Sequence, residues 1–231
     1  MQEQKMNNSP LYLAIQTTYD SVELGFFSGL VLQDSIILDK KQTNKNFIPD
    51  LNTLLRNNTI KLEDIDFFAV NQGPGPFTSL RVIITTANGL SFATKKPLIG
   101  INGLEEFLKE YQSSQWSHTV ALLNAYHSDV YYGFEVDGVC TETGAKNIDV
   151  LLEELSTIET PFRIIGNGID LYKKQILQKL GDKAFLQDPI PQHVSIQQIG
   201  KAAFFRWQKQ EDLKQQLLPL YLKTQQYQKS M

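Results

Sequence analysis

The segment that most constrains the fold reads Phe67-Phe68-Ala69-Val70-Asn71-Gln72-Gly73-Pro74-Gly75-Pro76-Phe77-Thr78-Ser79-Leu80-Arg81. An apolar run meets a turn of alternating Gly and Pro, and a helix-compatible stretch begins near Thr78. Gly73 and Gly75 permit backbone angles closed to other residues, while Pro74 and Pro76 fix their own φ and remove two donors. Such a turn is stiff, and Thr78 or Ser79 is placed to cap the helix that follows. It presents that helix either to a phosphate, through N–H groups at a helix start, or to a protein. The two prolines remove donors that a phosphate would need and so favour the second use.

The rest of the chain reads as α/β. Leu11–Thr17, 22–27 and 31–38 are short apolar runs with tight connections, an antiparallel meander. The period then changes: Phe47, Ile48, Leu51, Leu54 and Leu55 lie on one face of a helix over 46–57, with Pro49 in its first turn. After a bridge at 62–65 comes a strand over 67–72. Residues 78–94 are apolar on nearly every side; the β-branched cluster from Val82 to Thr86 admits a strand, but length and small residues favour a helix covered on both faces. A strand over 97–101 and a helix over 103–111 follow. His118–Asn124 and 130–136 then pair around a turn, Phe162–Ile165 leads through Gly166-Asn167-Gly168 into a helix ending near Leu180, and 196–210 forms another helix. Both halves open with hairpins and continue into strand–helix units, a rough internal duplication.

The chain's 231 residues suffice for two modest domains, and 42% hydrophobic with 20% charged residues is ordinary for a globular protein. A net charge of −3 argues against a protein that grips nucleic acid by itself. Cys140 is the only cysteine, so no disulfide forms within the chain, which suits a reducing cytosol. Residues 1–10 are polar and lack the apolar stretch of a signal peptide, and no run approaches the roughly 20 apolar residues of a membrane span. The expectation is a cytoplasmic protein that does not engage a membrane. His118, His127 and His193 have no metal-ligand spacing, and no Gly-x-Ser-x-Gly pattern occurs, so neither a metal site nor an esterase-type nucleophile is expected. The stretch 206–229, with Arg206, Lys209, Lys214, Lys223 and Lys229 among glutamines and with Trp207, Tyr221 and Tyr227, reads as a solvated terminal helix with a frayed end.

Several motifs together resemble a known family. Leu13-Ala14-Ile15-Gln16-Thr17-Thr18 is similar to the opening strand-turn of the TsaB (YeaZ) proteins, usually Ala-Ile-Asp-Thr-Ser. Gly73 to Arg81 resembles that family's Gly-Pro-Gly-Ser-Phe-Thr-Gly-Leu-Arg, and Thr86-Ala87-Asn88-Gly89-Leu90 follows as expected. Leu123-Asn124-Ala125 with Val130-Tyr131, Gly166-Asn167-Gly168 and Pro219-Leu220-Tyr221-Leu222 also fit, so the likeness spans about residues 11–223.

The resemblance implies two actin-like (ribonuclease-H-like) lobes of the actin and sugar-kinase superfamily, with an N-terminal partner-binding lobe over 11–103 and a C-terminal lobe over 104–231. It implies a non-catalytic subunit in the synthesis of threonylcarbamoyladenosine beside the tRNA anticodon. Such a subunit pairs with the TsaD transferase, helps the TsaE ATPase dock, meets tRNA only through the complex and needs no cofactor; a free homodimer that uses the same helices on itself is a further alternative. In ATP-handling relatives the opening hairpins supply carboxylates for Mg²⁺. Here Gln16, beside Thr17, and Asn124 hold those places as neutral amides, with Asp20 and Asp129 as the acids nearest in sequence. The alternative is an ATP-dependent kinase or carbamoyl-type transferase with its own nucleotide site. By the same resemblance the helices 46–57 and 78–94 face TsaD through Phe47, Asp50, Leu51, Leu54, Thr78, Leu80, Arg81, Ile83, Ile84, Ala87 and Leu90. The family usually has Gly at Ser79 and Ile83, and Ile83 adds bulk where close approach is expected.

Overall fold

The computed structural model describes residues 9–40 and 43–223, with 43 and 44 described for backbone only. Strands β1 (Leu11–Thr17), β2 (Ser21–Ser28) and β3 (Val31–Asp39) form the expected antiparallel meander. β1 also pairs in parallel with β4 (Phe67–Asn71), and β4 with β5 (Leu98–Ile101). Successive strand residues point to opposite faces, so Leu13, Ile15, Phe68 and Val70 share one side. Helices α1 (Thr43–Asn57) and α2 (Phe77–Thr94) bury their apolar residues on that side in a single core.

The pattern then repeats. β6 (His118–Asn124), β7 (Asp129–Val136) and β8 (Val139–Asn147) form a second meander. β6 pairs in parallel with β9 (Phe162–Ile165), and β9 with β10 (Ala184–Leu186). The order β10-β9-β6-β7-β8 matches β5-β4-β1-β2-β3 strand for strand. Helices α4 (Ile148–Ser156) and α5 (Gly168–Leu180) fill a second core with Val120, Leu122, Val130 and Ile164. On the other face α3 (Gly103–Glu110) brings Leu104 and Leu108 against Gly133. The duplication read from the hairpins is therefore present in the topology, while β8, α4 and β10 form where the sequence reading assigned no element.

The chain divides into two compact units, and α6 (Ile196–Gln208) departs from the expected boundary. Residues Ser195–Pro219 belong with the first unit, not with the rest of 104–231. The cause is aromatic packing on the face of the first sheet away from α1 and α2. Phe27, Tyr12, Phe67 and Trp207 stack in sequence with centroid spacings of 5.0, 4.4 and 4.7 Å. The Tyr12 hydroxyl donates to the carbonyls of Gly29 at 2.9 Å and Gly200 at 3.0 Å. Each such ring pair is worth about 0.5–1.5 kcal/mol beyond its burial.

The expected frayed terminal helix is also corrected. After α6 the chain forms β11 (Leu213–Lys214), antiparallel to β5. The Asn88 amide then grips the backbone of Leu217 in both directions, at 2.9 and 3.0 Å, and Leu217 itself is buried. Gln72 donates to the Leu218 carbonyl at 2.7 Å. Polar side chains thus replace the ladder that a two-residue strand cannot supply. Tyr227, Lys229 and most of the polar N-terminal tail lie outside the described residues. Pro49 is well inside α1 rather than in its first turn. Burial of Phe47, Leu51, Leu54 and Leu55 offsets the donor that its ring removes.

Candidate functional site

The Gly/Pro turn joins β4 to α2 as expected, with differences in how it is built. Gly73 has φ +105°, which demands glycine, whereas Gly75 is outside the left-handed region and a Cβ there would meet nothing within 4 Å. Neither Thr78 nor Ser79 caps α2. The helix begins one residue early, the N-cap position falls on Pro76, and Thr78 projects from the first turn into solvent. The turn is fixed from behind instead. Gly73 N–H donates to Asn71 Oδ1 at 2.9 Å, and Gly103 N–H donates to the Gly73 carbonyl at 2.9 Å.

Helix α2 is covered on one side by the core of its own unit, and the described residues leave its other side open. Leu80, Ile83, Ile84, Ala87 and Leu90 are buried in the core of the first unit, as are Phe47, Leu51 and Leu54 of α1. Of the residues expected to face a partner, only Thr78 and Arg81 are exposed, with Asp50 intermediate. Ile83 is 0% exposed, so its bulk fills the chain's own core and does not obstruct an approaching helix. The open stripe of α2 consists of Phe77, Arg81, Thr85, Gly89, Phe92 and Ala93. Phe77 is 44% and Phe92 75% exposed, the Arg81 guanidinium lies 5.1 Å from the Phe77 ring, and Lys95 Nζ lies 4.2 Å from the Phe92 ring. On α1 the open positions include Ile48, Asn52 and Arg56. The sequence pattern missed Phe77 and Phe92 because an all-round apolar helix does not declare which side its sheet takes. Their spacing from Arg81 and Thr85 was the available signal.

The two hairpin-end amides singled out in the sequence, Gln16 and Asn124, make hydrogen bonds inside the chain. Gln16, one residue before the end of β1, is 1% exposed. Its amide N–H donates to Glu23 Oε2 at 2.7 Å, and its carbonyl accepts from Asn71 Nδ2 at 3.3 Å. With the Asn71–Gly73 bond this makes a relay from Glu23 to the α2 turn. Thr17 directs its hydroxyl to the carbonyls of Thr18 and Ser21, and Thr18 accepts from the Ser21 amide at 3.0 Å, so the hairpin turn satisfies itself. Asp20 is exposed on that turn. Burial lowers the pKa of nearby Lys40, and the Asp20 charge partly restores it.

In the second unit Asn124 Oδ1 accepts from the Tyr126 backbone N–H at 2.8 Å, and the Asn124 backbone N–H donates to Asn167 Oδ1 at 2.9 Å. This gives Asn167, in the Gly166-Asn167-Gly168 turn, a definite task. Gly166 sits at φ +104° with a hypothetical Cβ 2.1 Å from the Leu122 carbonyl, so that turn also requires glycine. Asp129 is ion-paired with Lys223 at 2.7 Å. Among the described residues no group of three His, Cys, Asp or Glu side chains is arranged to hold a metal. His118 Nδ1 pairs with Ser117 Oγ and His193 Nδ1 with the Val194 carbonyl, while His127 is exposed.

One buried polar group escaped the sequence reading. Glu135 and Arg163, on the face of the second sheet away from α4 and α5, are 1% and 5% exposed. Arg163 donates to the Tyr111 carbonyl, to Thr119 Oγ1 at 3.2 Å and to Gln187 Oε1 at 3.2 Å. Burial raises the Glu135 carboxyl, and the Arg163 charge and a Thr119 hydrogen bond draw it back down.

A duplicated unit, an antiparallel meander extended by two parallel strands with helices packed on it, defines a two-unit α/β protein whose corresponding hairpin ends carry the neutral amides Gln16 and Asn124. A sequence model of the family described as TsaD, tRNA N6-adenosine threonylcarbamoyltransferase, matches residues 37–216, and the chain belongs to this family. The tRNA threonylcarbamoyladenosine biosynthesis protein TsaB of Buchnera aphidicola subsp. Schizaphis graminum is 25% identical over 77% of this chain and 88% of its own length. The tRNA N6-adenosine threonylcarbamoyltransferase of Staphylococcus epidermidis is 31% identical, over 42% of this chain and only 34% of its own. The solved structure of YeaZ from Pseudomonas aeruginosa superposes with a TM-score of 0.71 at 20% identity, covering 92% of this chain and 100% of that one. Within the family the chain is thus of the TsaB (YeaZ) type, alike in sequence over most of the TsaB relative and in fold to YeaZ. No helix among the described residues is long and apolar enough to cross a membrane.

Proposed function

We propose that the chain is the non-catalytic TsaB-type subunit of the machinery that installs threonylcarbamoyl on the adenosine beside the tRNA anticodon. It binds and activates a TsaD-type transferase and helps a TsaE-type ATPase dock. The observation that carries this reading is the state of the two hairpin ends. Gln16 and Asn124 are neutral amides with their hydrogen bonds already made inside the chain, so neither offers a carboxylate to Mg²⁺. A chain of this fold without those charges has its surface left to work with.

The surface that suits a helical partner is the open stripe of α2, with small Thr85, Gly89 and Ala93 between the rings of Phe77 and Phe92. Small residues flanked by aromatic anchors allow close approach and supply binding energy where it counts. Arg81 adds a donor fork for a partner carboxylate. The same stripe makes a homodimer when no transferase is present. The net charge of −3 leaves contact with tRNA to the complex, and a role in tRNA modification suits a cytoplasmic protein.

The test is to mix the purified chain with the TsaD homologue of its own organism, follow co-elution by size exclusion, and titrate ATP into the chain by calorimetry. A stable complex and no heat from ATP are expected. ATP binding that is lost in Asp129→Asn or Asp20→Asn would establish the rival nucleotide-using enzyme.

A further inference from the structure

We propose that the β6–β7 loop of the second unit is a cation site that the chain closes with its own Lys223. The loop has an unusual backbone: Tyr126, His127 and Ser128 follow one another at φ +58°, +55° and +62°. None is glycine, and side-chain-bearing residues enter this region as single positions rather than runs, because Cβ crowds the following carbonyl. Such a run persists only where its surroundings hold it. Part of the hold is local, through Asp129 N–H to the Tyr126 carbonyl at 3.1 Å and Ala125 N–H to the Asp129 carbonyl at 3.0 Å. Tyr126 N–H also donates to Asn124 Oδ1 at 2.8 Å and Ile148 N–H to the Ser128 carbonyl at 2.9 Å, and a further hold comes from a residue 94 positions beyond Asp129 (223 − 129).

Lys223 Nζ stands 2.7 Å from Asp129 Oδ2, 3.3 Å from the Ala125 carbonyl and 3.5 Å from the Tyr126 carbonyl. One carboxylate and two backbone carbonyls converging on a point are the ligands that a hard cation takes. An ammonium satisfies the same three oxygens with its three donors. The Lys223 and Asp129 side chains are 33% and 25% exposed, enough shelter to protect the pair from full screening by salt. The left-handed run therefore brings backbone oxygens together around a positive charge, and that charge is delivered by the C-terminal segment. The site's ligand class is a compact cation, an alkylammonium or an oxygen-seeking divalent ion, and in the intact chain Lys223 occupies it. Exposed Tyr126, His127 and Ser128 are held in one arrangement as a result. This inference does not depend on the role proposed above.

The experiment compares the full-length chain with Lys223→Ala and with the double variant Lys223→Ala/Asp129→Asn. Amide exchange over residues 124–130 is followed by mass spectrometry at constant ionic strength, with propylammonium chloride or calcium chloride replacing sodium chloride. Wild-type exchange should be slow and indifferent to either cation. Lys223→Ala should exchange several-fold faster in this loop and nowhere else, and propylammonium or calcium should restore the protection. The double variant should exchange fast and respond to neither. Restoration by propylammonium only would define an ammonium-shaped site, and restoration by calcium a metal-accepting one; both support the proposal. Unchanged loop exchange in Lys223→Ala would overturn it, as would fast exchange that neither cation slows while Asp129 is present.

Discussion

The two sides of α2 make opposite predictions, and Ile83 and Phe92 separate them. Ile83 is 0% exposed in the core of the first unit. Ile83→Ala removes three carbons, a transfer term of about 2.5 kcal/mol at about 0.8 kcal/mol per buried carbon. The cavity left behind carries the total to about 3–4 kcal/mol. The expected readout is a fall in Tm of roughly 6–16 °C in a chain of this size. Phe92 is 75% exposed, so Phe92→Ala should alter the unfolding free energy by no more than about 0.5 kcal/mol. If the open stripe meets the transferase, however, loss of an aromatic anchor should cost about 2 kcal/mol of binding, roughly 30-fold in Kd. Thermal melts and titration of the transferase at a temperature where both variants are folded measure the two effects. The reasoning is refuted if Ile83→Ala weakens binding while leaving Tm unchanged, or if Phe92→Ala lowers Tm and leaves Kd alone.

Other perturbations probe the supporting structure. Gln16→Leu strips a donor from Glu23 and an acceptor from Asn71, at a cost of about 1–3 kcal/mol. Faster exchange of the Gly73 amide would report the loosened turn, and unchanged exchange there would deny the relay. Tyr12→Phe leaves the carbonyls of Gly29 and Gly200 without that donor and should lose about 1–2 kcal/mol while shifting Trp207 fluorescence. An unshifted spectrum would show that the ring stack does not depend on the hydroxyl. Arg163→Met should show a pH-dependent loss. Burial raises the Glu135 carboxyl, so the folded state binds that proton more tightly than the unfolded chain, and stability falls as pH rises from the ordinary carboxylate range through the raised value. Removing Arg163 extends that window upward. The gap to wild type should be smallest near about pH 4 and widen towards neutrality, and a gap independent of pH would contradict the influence of the Arg163 charge on Glu135.

The hairpins, the first core helix and the Gly/Pro turn were legible because each depends on local chemistry: alternation, a 3.6-residue period, and residues with restricted φ. The amides at Gln16 and Asn124 were legible as missing charges. The Gln16 partners Glu23 and Asn71, and the Asn167 side chain that holds the Asn124 backbone N–H, were not, because those contacts depend on strand register and on turns brought together by the fold. The open side of α2 was hidden by uniform hydrophobicity. The placement of α6 was hidden because its apolar face fits any sheet, and only the stack of Trp207 on Phe67 and Tyr12 fixes which. Lys223 looked like one of several solvated tail lysines, since nothing in its neighbours points to Asp129.

The central claim is that the chain works through a partner and not through chemistry of its own. The direct measurement is threonylcarbamoyl transfer to tRNA, and ATP turnover, with the chain titrated from zero past equimolar into the TsaD homologue of its organism. No turnover by the chain by itself, and a transfer rate that rises and saturates at equimolar chain, is the predicted result. ATP hydrolysis by the isolated chain, or a transferase rate indifferent to its presence, would contradict the account.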